Sequence, residues 1–194
     1  MEELTLDKLL AAIKSDDVQT RANAVLAAGP IGAKGMKPLS KIVATGDLEV
    51  GRAAKRAMWK IVRYVGAPGM ADAKRPVVSE LVDLIATGQP AAVRREAFWM
   101  LSEIGSDETI EAIREMPEIL DDKEMREHAR CAIERIPTDA AVGLLQAGLE
   151  AVPEDFKLAI AHSLRVRGVE VSQAEYPCQK LVPTKQTKVK PVSK

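Results

Sequence analysis

Apolar residues recur along this chain at helical spacing, in two kinds of segment that alternate. Segment 93–105 is the clearest, and its periodic apolar positions are Val93, Ala97, Met100, Leu101 and Ile104. Such spacing places them on one face of a helix. The pattern recurs at 20–32, 54–66, 125–137 and 156–168. Every copy closes on Gly or Pro, which end helices by accepting a left-handed turn or by lacking an N–H: Gly32, Gly66, Gly105, Pro137 and Gly168. We call the five predicted helices the B helices.

A second apolar-periodic segment precedes each B helix and predicts a partner, the A helix. These segments are 6–14, 36–44, 76–86, 109–120 and 140–149. Several residues suggest where helices begin and end. Pro38 and Pro76 suit first-turn positions, Thr138 can cap the fifth A helix, and Asp155 can cap the fifth B helix. Pro117 should kink the fourth A helix or end it early.

The string from Val93 to Ala97, with Leu101 and Ile104 before Gly105, resembles the HEAT-repeat signature, especially a short bacterial form similar to phycobilisome-lyase repeats. The resemblance covers about residues 4–168 and implies an all-α fold, a right-handed α-α superhelix (α-solenoid) of about five HEAT-like hairpins. The expected repeats are 4–32, 36–66, 74–105, 107–137 and 138–168. Copies two and five are degenerate, and Arg167 stands where the fifth should be apolar, which suits a terminal cap.

Composition agrees with helices and adds a tail. The chain is 46% apolar but only 3% aromatic, a balance that favours closely packed helices over a sheet. From Tyr176 onward there are five lysines, three prolines and no acidic residue. Such a segment buries too little apolar surface to order itself. We therefore expect a solenoid domain over 1–168 and a flexible basic tail over 169–194.

Charge is balanced overall but segregated along the chain. The formal net charge is zero. Segment 50–79 holds a single acidic residue, Asp72, and seven basic ones: Arg52, Lys55, Arg56, Lys60, Arg63, Lys74 and Arg75. Segment 103–127 reverses this balance, with ten acidic residues against Arg114, Lys123 and Arg126. The zero total argues against a general binder of polyanions, while the segregation predicts a molecule that is dipolar along its length.

Features that would indicate secretion or a membrane are missing from the sequence. Cys131 and Cys178 lie far apart and suggest no disulfide framework. The acidic N-terminus has no apolar core of signal-peptide length, and no stretch approaches the roughly 18 apolar residues that span a bilayer. We expect a cytoplasmic location and no membrane partner.

The second position of each B helix is basic, as Arg21, Lys55, Arg94, Arg126 and Lys157. In HEAT-type proteins this residue bridges neighbouring repeats, by pairing with an acid or a carbonyl in the preceding turn. Asp16, Asp17, Asp47 and Asp122 are placed to serve here. The resemblance therefore implies a structural ladder of charges.

Aromatic and basic residues of the B helices suggest a binding face, because the resemblance implies that these helices line the concave surface. Trp99 lies two residues after the core position Ala97, about 200° around the helical wheel, so we expect it to be exposed. Trp and Arg together are enriched at binding hot spots. The candidate partner-binding residues are Trp99, Arg95, Trp59, Lys60, Arg56, Arg63 and Tyr64. A seam-filling role for Trp59 and Phe98 remains open.

Signals for catalysis are weak. His128 and His162 lie in different repeats and in no nucleophile or metal motif. His128 and Cys131 are three apart on one helix and could share a metal, but no third or fourth ligand is evident. We expect no cofactor, no metal site and no enzyme activity.

The leading hypothesis is an interaction module whose concave face binds an acidic or amphipathic segment of another protein. Nucleic acid is the alternative partner, by resemblance to HEAT-like DNA glycosylases, with Glu103 beside Trp99 as the one obvious carboxylate. The acidic segment 103–127 would repel a long nucleic acid. A lyase or an assembly factor for a cofactor-bearing protein is a third possibility, from the repeat resemblance alone.

Overall fold

A computed structural model describes residues 4–86 and 88–178, and this part of the chain contains helices and no strand. The ten α-helices are α1 (Leu6–Ile13), α2 (Val18–Ala27), α3 (Met36–Thr45), α4 (Leu48–Val65), α5 (Ala71–Ile85), α6 (Ala91–Ile104), α7 (Asp107–Arg114), α8 (Arg126–Arg135), α9 (Asp139–Ala151) and α10 (Glu154–Val166). Two 3₁₀ segments, Gly29–Gly35 and Pro117–Leu120, follow α2 and α7.

Consecutive helices pack as pairs, and the pairs stack in chain order. α1 packs on α2, α3 on α4, α5 on α6, and α9 on α10. In the remaining pair the segment Pro117–Leu120 lies between α7 and α8 and contacts both. The even-numbered helices form one row, since α2 contacts α4, α4 contacts α6, α6 contacts α8, and α8 contacts α10. The described residues thus form an all-α solenoid, and we call the surface of the even-numbered row the B-helix face.

The apolar stripes of the B helices form the centre of this stack. In α6, Ala97, Met100 and Leu101 are fully buried. In α4, Met58, Ile61 and Val62 occupy the equivalent positions and are also buried. Each large side chain removed from water contributes roughly 1.5–3 kcal/mol. The periodicity seen in the sequence is therefore that of the core.

Some helix ends follow the local signals. Thr138 caps α9 by accepting a hydrogen bond from the amide of Ala141. Pro117 lies just beyond α7, which ends at Arg114, and it opens a separate 3₁₀ turn. Both expectations are confirmed.

Other helix ends differ from the sequence-based expectation. α5 begins at Ala71, so Pro76 is its sixth residue and not a first-turn residue. Asp155 does not cap α10, which begins at Glu154 after Pro153; its carboxylate instead binds Arg126. α2 ends at Ala27, five residues before Gly32, whose φ of 64° interrupts the following 3₁₀ segment. The apolar stripe alone therefore does not fix where α2, α5 and α10 begin or end.

Two of the glycines that close B helices, Gly66 and Gly105, are contact points for the next repeat. A Cβ on Gly66 would lie 3.1 Å from Cγ2 of Ile104, and one on Gly105 would lie 2.7 Å from Cδ1 of Ile136. The isoleucine that ends one B helix therefore packs on the glycine that closed the previous one. At the last such junction Pro137, which closes the fourth repeat, stands in place of the glycine. Arg167 of the fifth repeat stands in place of the isoleucine. Arg167 donates to the carbonyls of Glu134, Ile136 and Thr138 instead.

Residues 169–178 were expected to belong to a flexible tail, but they fold back onto α10. Gly168 has a φ of 80°, the left-handed conformation that reverses the chain after a helix. The guanidinium of Arg165 donates to the carbonyls of Val171, Ser172 and Tyr176. Val169, Val171 and Tyr176 pack against the core. The remainder of the expected tail, 179–194, lies outside the described residues.

Candidate functional site

The repeated basic residue forms three ion pairs that join consecutive B helices from α4 to α10. The ammonium of Lys55 in α4 lies 2.9 Å from Glu96 in α6. The guanidinium of Arg94 in α6 lies 3.1 Å from Asp122, which precedes α8. Arg126 in α8 binds both carboxylate oxygens of Asp155 in α10, at 3.2 and 2.6 Å. Each basic residue reaches an acid of the following repeat.

Arg94 is the most buried member of this series, with 8% of its surface exposed. Its Nε donates to the carbonyl of Ile85, at 3.0 Å, and its Nη1 to Asp122. Burial opposes ionisation of Asp122, but hydrogen bonds from the Glu124 amide and from Arg94 outweigh it, so the pKa of Asp122 is lowered. The pair stays ionised at neutral pH.

The other two basic residues of the series make local contacts. Arg21 donates to the carbonyls of Ser15 and Asp16, at 2.6 and 3.0 Å, in the turn before its own helix. Lys157 pairs at 3.0 Å with Glu154, in the first turn of α10. Asp47 accepts from the amides at the start of α4 and serves as its cap. The expected partners in the preceding turn occur for Arg21 and, through Ile85, for Arg94.

The basic residues of α4 that face away from the core differ from this series. Arg56 and Lys60 are exposed, and within the described residues neither has an ion-pair partner. Arg63 lies over the ring of Trp59, 5.3 Å from its centroid. Trp59 is half-buried and donates from Nε1 to Glu96 at 3.1 Å. Arg63 therefore contacts the ring of Trp59, whereas the neighbouring cations Arg56 and Lys60 have no ion-pair partner within the described residues.

A groove runs between α2 and α4 beside these cations. One stretch of about 290 Å³ is lined by Val18, Arg21, Ala22, Val25, Leu26, Glu49, Arg52, Ala53 and Arg56. The adjoining stretch, about 430 Å³, is lined by Val25, Leu26, Arg56, Trp59, Lys60 and Arg63. We call these residues together the α2–α4 groove. Val18 and Leu26 are 69% and 67% exposed, the largest values among the large apolar residues apart from Leu48.

The sequence analysis did not select Val18 or Leu26. The helical wheel could have found Leu26, because it occupies the same column as Trp99 in its own copy. Its exposure depends on α2 ending early and burying only Ala24 among its ten residues. A pattern of apolar spacing alone does not reveal that this helix leaves apolar residues uncovered.

Trp99 and Arg95 lie further along the row, on α6. Trp99 is 38% exposed, and its ring meets that of His128 in α8 edge to face, with centroids 6.1 Å apart and planes at 80°. Arg95 lies 3.7 Å from Glu124. Tyr64, 44% exposed, packs on Gly29, where an added Cβ would lie 2.9 Å from the tyrosine side chain. Trp59, Trp99 and Tyr64 thus have different neighbours instead of one shared cluster.

His128 lies in a partly buried seam between α6 and α8, and Cys131 lies one turn further along α8, also partly buried. Burial, and then the nearby Arg95, lower the pKa of His128, and its Nδ1 is a buried atom with no hydrogen-bond partner in the structure. Burial raises the pKa of Cys131, while Arg130 donates to its sulfur at 3.2 Å. Within residues 4–86 and 88–178 there is no group of three or more His, Cys, Asp or Glu placed to hold a metal ion. The candidate carboxylate Glu103 is exposed at the end of α6.

Over the same residues, no helix combines the length and the apolar content needed to cross a bilayer.

No protein-family model and no curated protein matches this chain. Among solved structures, an engineered protein is 24% identical, with a TM-score of 0.44 and coverage of 86% of this chain and 80% of that one. A second engineered protein is 23% identical, with a TM-score of 0.41, covering 84% and 47%. A designed armadillo repeat protein in complex with the peptide (KR)4 is 20% identical, with a TM-score of 0.40, covering 84% and 87%. Since these scores are below 0.5, the solenoid assignment rests on the helix pairs of this chain itself.

Proposed function

We propose that this chain is a protein-interaction module of the HEAT type that binds its partner through the B-helix face. One observation carries the proposal: Arg56 and Lys60 have no partner among the described residues, and they lie beside the exposed apolar residues Val18 and Leu26. Apolar surface rimmed by charge is the composition of a protein-binding site. The cytoplasmic location expected from the sequence is part of this proposal.

The charge distribution favours a protein over a nucleic acid. Binding a phosphate backbone requires several cations along a continuous track. On α4 the cations Arg56 and Lys60 lie one helical turn apart without a carboxylate partner among the described residues, whereas Arg94, Arg95 and Arg126 of the later helices have carboxylate partners. A short acidic segment of a protein matches one basic patch of this size.

A photo-cross-linking amino acid at position 60 tests the proposal in an extract of the source cells. We expect a discrete protein band from this position and none from position 41, an exposed lysine on α3 that serves as the control. Adding Arg56→Glu to the protein that carries the cross-linker should remove the band. A nuclease-sensitive product would favour the nucleic-acid alternative, and equal labelling from positions 41 and 60 would contradict the proposed face.

A further inference from the structure

The α2–α4 groove has the dimensions of a short helix. Val18 and Leu26 are eight residues apart on α2, and Arg52 and Arg63 are eleven apart on α4, which correspond to about 12 and 16 Å at 1.5 Å per residue. Val18 lines only the stretch that holds Glu49 and Arg52, whereas Leu26 lines both stretches and so also the one that holds Lys60 and Arg63. The two walls therefore run in the same direction, and a ligand of about three helical turns would span them.

The α2 wall is apolar at helical spacing. Val18, Ala22, Val25 and Leu26 lie at i, i+4, i+7 and i+8 and all line the groove. None of the four is buried, since Ala24 is the only buried residue of α2. A ligand that buries this wall needs apolar side chains on one face, with spacings of three and four residues.

The α4 wall is positively charged. Glu49 is the only acidic residue that lines the groove, and it pairs with Arg52 at 2.9 Å. Arg56, Lys60 and Arg63 lie beyond it toward the C-terminal end of α4. A ligand whose polar face is acidic would complement these charges, whereas a basic ligand would place like charges together.

The groove offers few acceptors to the backbone N–H groups of an extended chain. An extended ligand carries backbone N–H and C=O groups that need partners, and a helix satisfies its own. No Asn or Gln lines either stretch, and Gln19 and Asn23 of α2 are hydrogen-bonded to each other at 2.9 Å. Both walls therefore suit a ligand whose backbone hydrogen bonds are already formed within the ligand, as in a helix.

Building on the proposed function, we infer that the partner's binding element is an acidic amphipathic α-helix. It lies in the α2–α4 groove with its apolar face on Val18, Val25 and Leu26 and its carboxylates toward Arg56, Lys60 and Arg63. The candidate residues predicted from the sequence extend to Trp99 and Arg95 on α6, whereas the α2–α4 groove lies one to two helices earlier in the row.

Three synthetic peptides of about 15 residues test the chemistry by fluorescence anisotropy. The first has Leu at helical spacing and Glu elsewhere, the second replaces each Glu by Lys, and the third keeps the composition of the first but spreads Leu around the helix. We expect the first to bind at least tenfold more tightly than the others and to weaken as salt is added. Equal binding by the third would reduce the effect to charge attraction, and equal binding by the second would remove the charge argument; either result overturns the inference.

Matched variants test the location. Lys60→Glu and Leu26→Ser should each weaken binding of the first peptide at least tenfold. Their controls are Lys41→Glu, on α3, and Leu48→Ser, whose side chain is 68% exposed but lies outside the groove. These should change affinity less than twofold, with circular dichroism showing that all four variants remain helical. If Leu26→Ser binds like the unaltered protein, the helix does not occupy this groove.

Failure of this inference differs from failure of the proposed function. If position 60 cross-links a protein but the first peptide does not compete for it, the interaction module stands and the acidic helix is excluded. If position 60 cross-links no protein, the proposed function fails together with the inference.

Discussion

The two ends of the B-helix row use their basic residues differently. In α6 and α8 the cations nearest the start of the helix are bound by carboxylates of the next repeat, as in the pairs Arg94 with Asp122 and Arg126 with Asp155. In α4 only the first two cations have carboxylate partners, Glu49 for Arg52 and Glu96 for Lys55. Arg56 and Lys60 have none among the described residues. Arginine and lysine at similar places in the repeat therefore hold the stack together at one end and remain available at the other.

This difference explains why neither an acidic nor a basic segment of the sequence shows by itself whether its charges are free or paired. The acidic segment 103–127 suggests a repulsive surface, yet Asp122, Glu124 and Glu127 each lie within 4 Å of an arginine. The basic segment 50–79 contains both paired and free cations. Contacts within a helix, as for Glu127, and contacts between repeats, as for Asp122, together decide which charges are neutralised.

The largest loss of stability should come from a variant at the end of the row where cations are paired with carboxylates. We expect Arg94→Ala to lower the free energy of unfolding by about 3 kcal/mol, because it leaves Asp122 without its buried counter-charge and the Ile85 carbonyl without a donor. Urea denaturation followed by circular dichroism measures it. The adjacent exposed residue provides the control, since Arg95→Ala should cost about 0.5 kcal/mol or less. Similar losses from the two variants would contradict the structural role of Arg94.

A second loss should come from the packing between repeats in the same half. Gly105→Ala would place a Cβ 2.7 Å from Ile136 and 2.5 Å from the Leu101 carbonyl. We expect a loss of about 2 kcal/mol in the free energy of unfolding. Gly143→Ala, in α9, meets no atom within 4 Å and should stabilise by about 0.5 kcal/mol. If Gly105→Ala were neutral in the same urea titration, the contact with Ile136 would not constrain the stack.

The seam between α6 and α8 should respond to pH. Burial and Arg95 lower the pKa of His128 in the folded protein, while Glu127 opposes the shift. The unfolded state therefore binds a proton first as pH falls through about 6.5, and stability decreases from there downward. The melting temperature should drop between pH 7.5 and 5.5, and less so in His128→Gln. An identical drop in both proteins would show that another group is responsible.

The smallest change in stability should come from variants of Arg56 and Lys60 on α4, the two cations without ion-pair partners among the described residues. Arg56→Ala and Lys60→Ala remove no ion pair within the described residues, so each should change the free energy of unfolding by no more than about 0.5 kcal/mol. Thermal melts at low and high salt measure this. Losses as large as that of Arg94→Ala would mean that the two ends do not differ.

Much of the fold could be predicted because its signals are local. The apolar stripes of α4 and α6, the cap at Thr138 and the break at Pro117 depend on residues within one or two helical turns. The start of α5 and the role of Asp155 could not be predicted in this way. Asp155 serves a residue 29 positions earlier, a choice that depends on how closely the repeats approach.

The candidate site was only partly predictable for the same reason. Arg56, Lys60 and Arg63 were chosen because basic residues cluster along α4, and they do line a groove. The opposite wall was missed, since Val18 looks like any other apolar residue of a helix and the only sequence signal for Leu26 is the column that it shares with Trp99. Their exposure follows from what covers α2 in space, which apolar spacing does not encode.

In each of the three ion pairs that the repeated basic residue forms between B helices, this residue binds an acid of the following repeat. Removing helices from the C-terminal end therefore has different consequences from removing them at the N-terminal end. Cutting away α1 and α2 would sever none of the three ion pairs of the repeated basic residue, because the first of them starts at Lys55. Cutting away α9 and α10 would strand Arg126, whose side chain is 14% exposed, without its counter-ion and without the ring of Phe156 over which it lies. Shortened versions for structural or biophysical work should therefore be cut from the front.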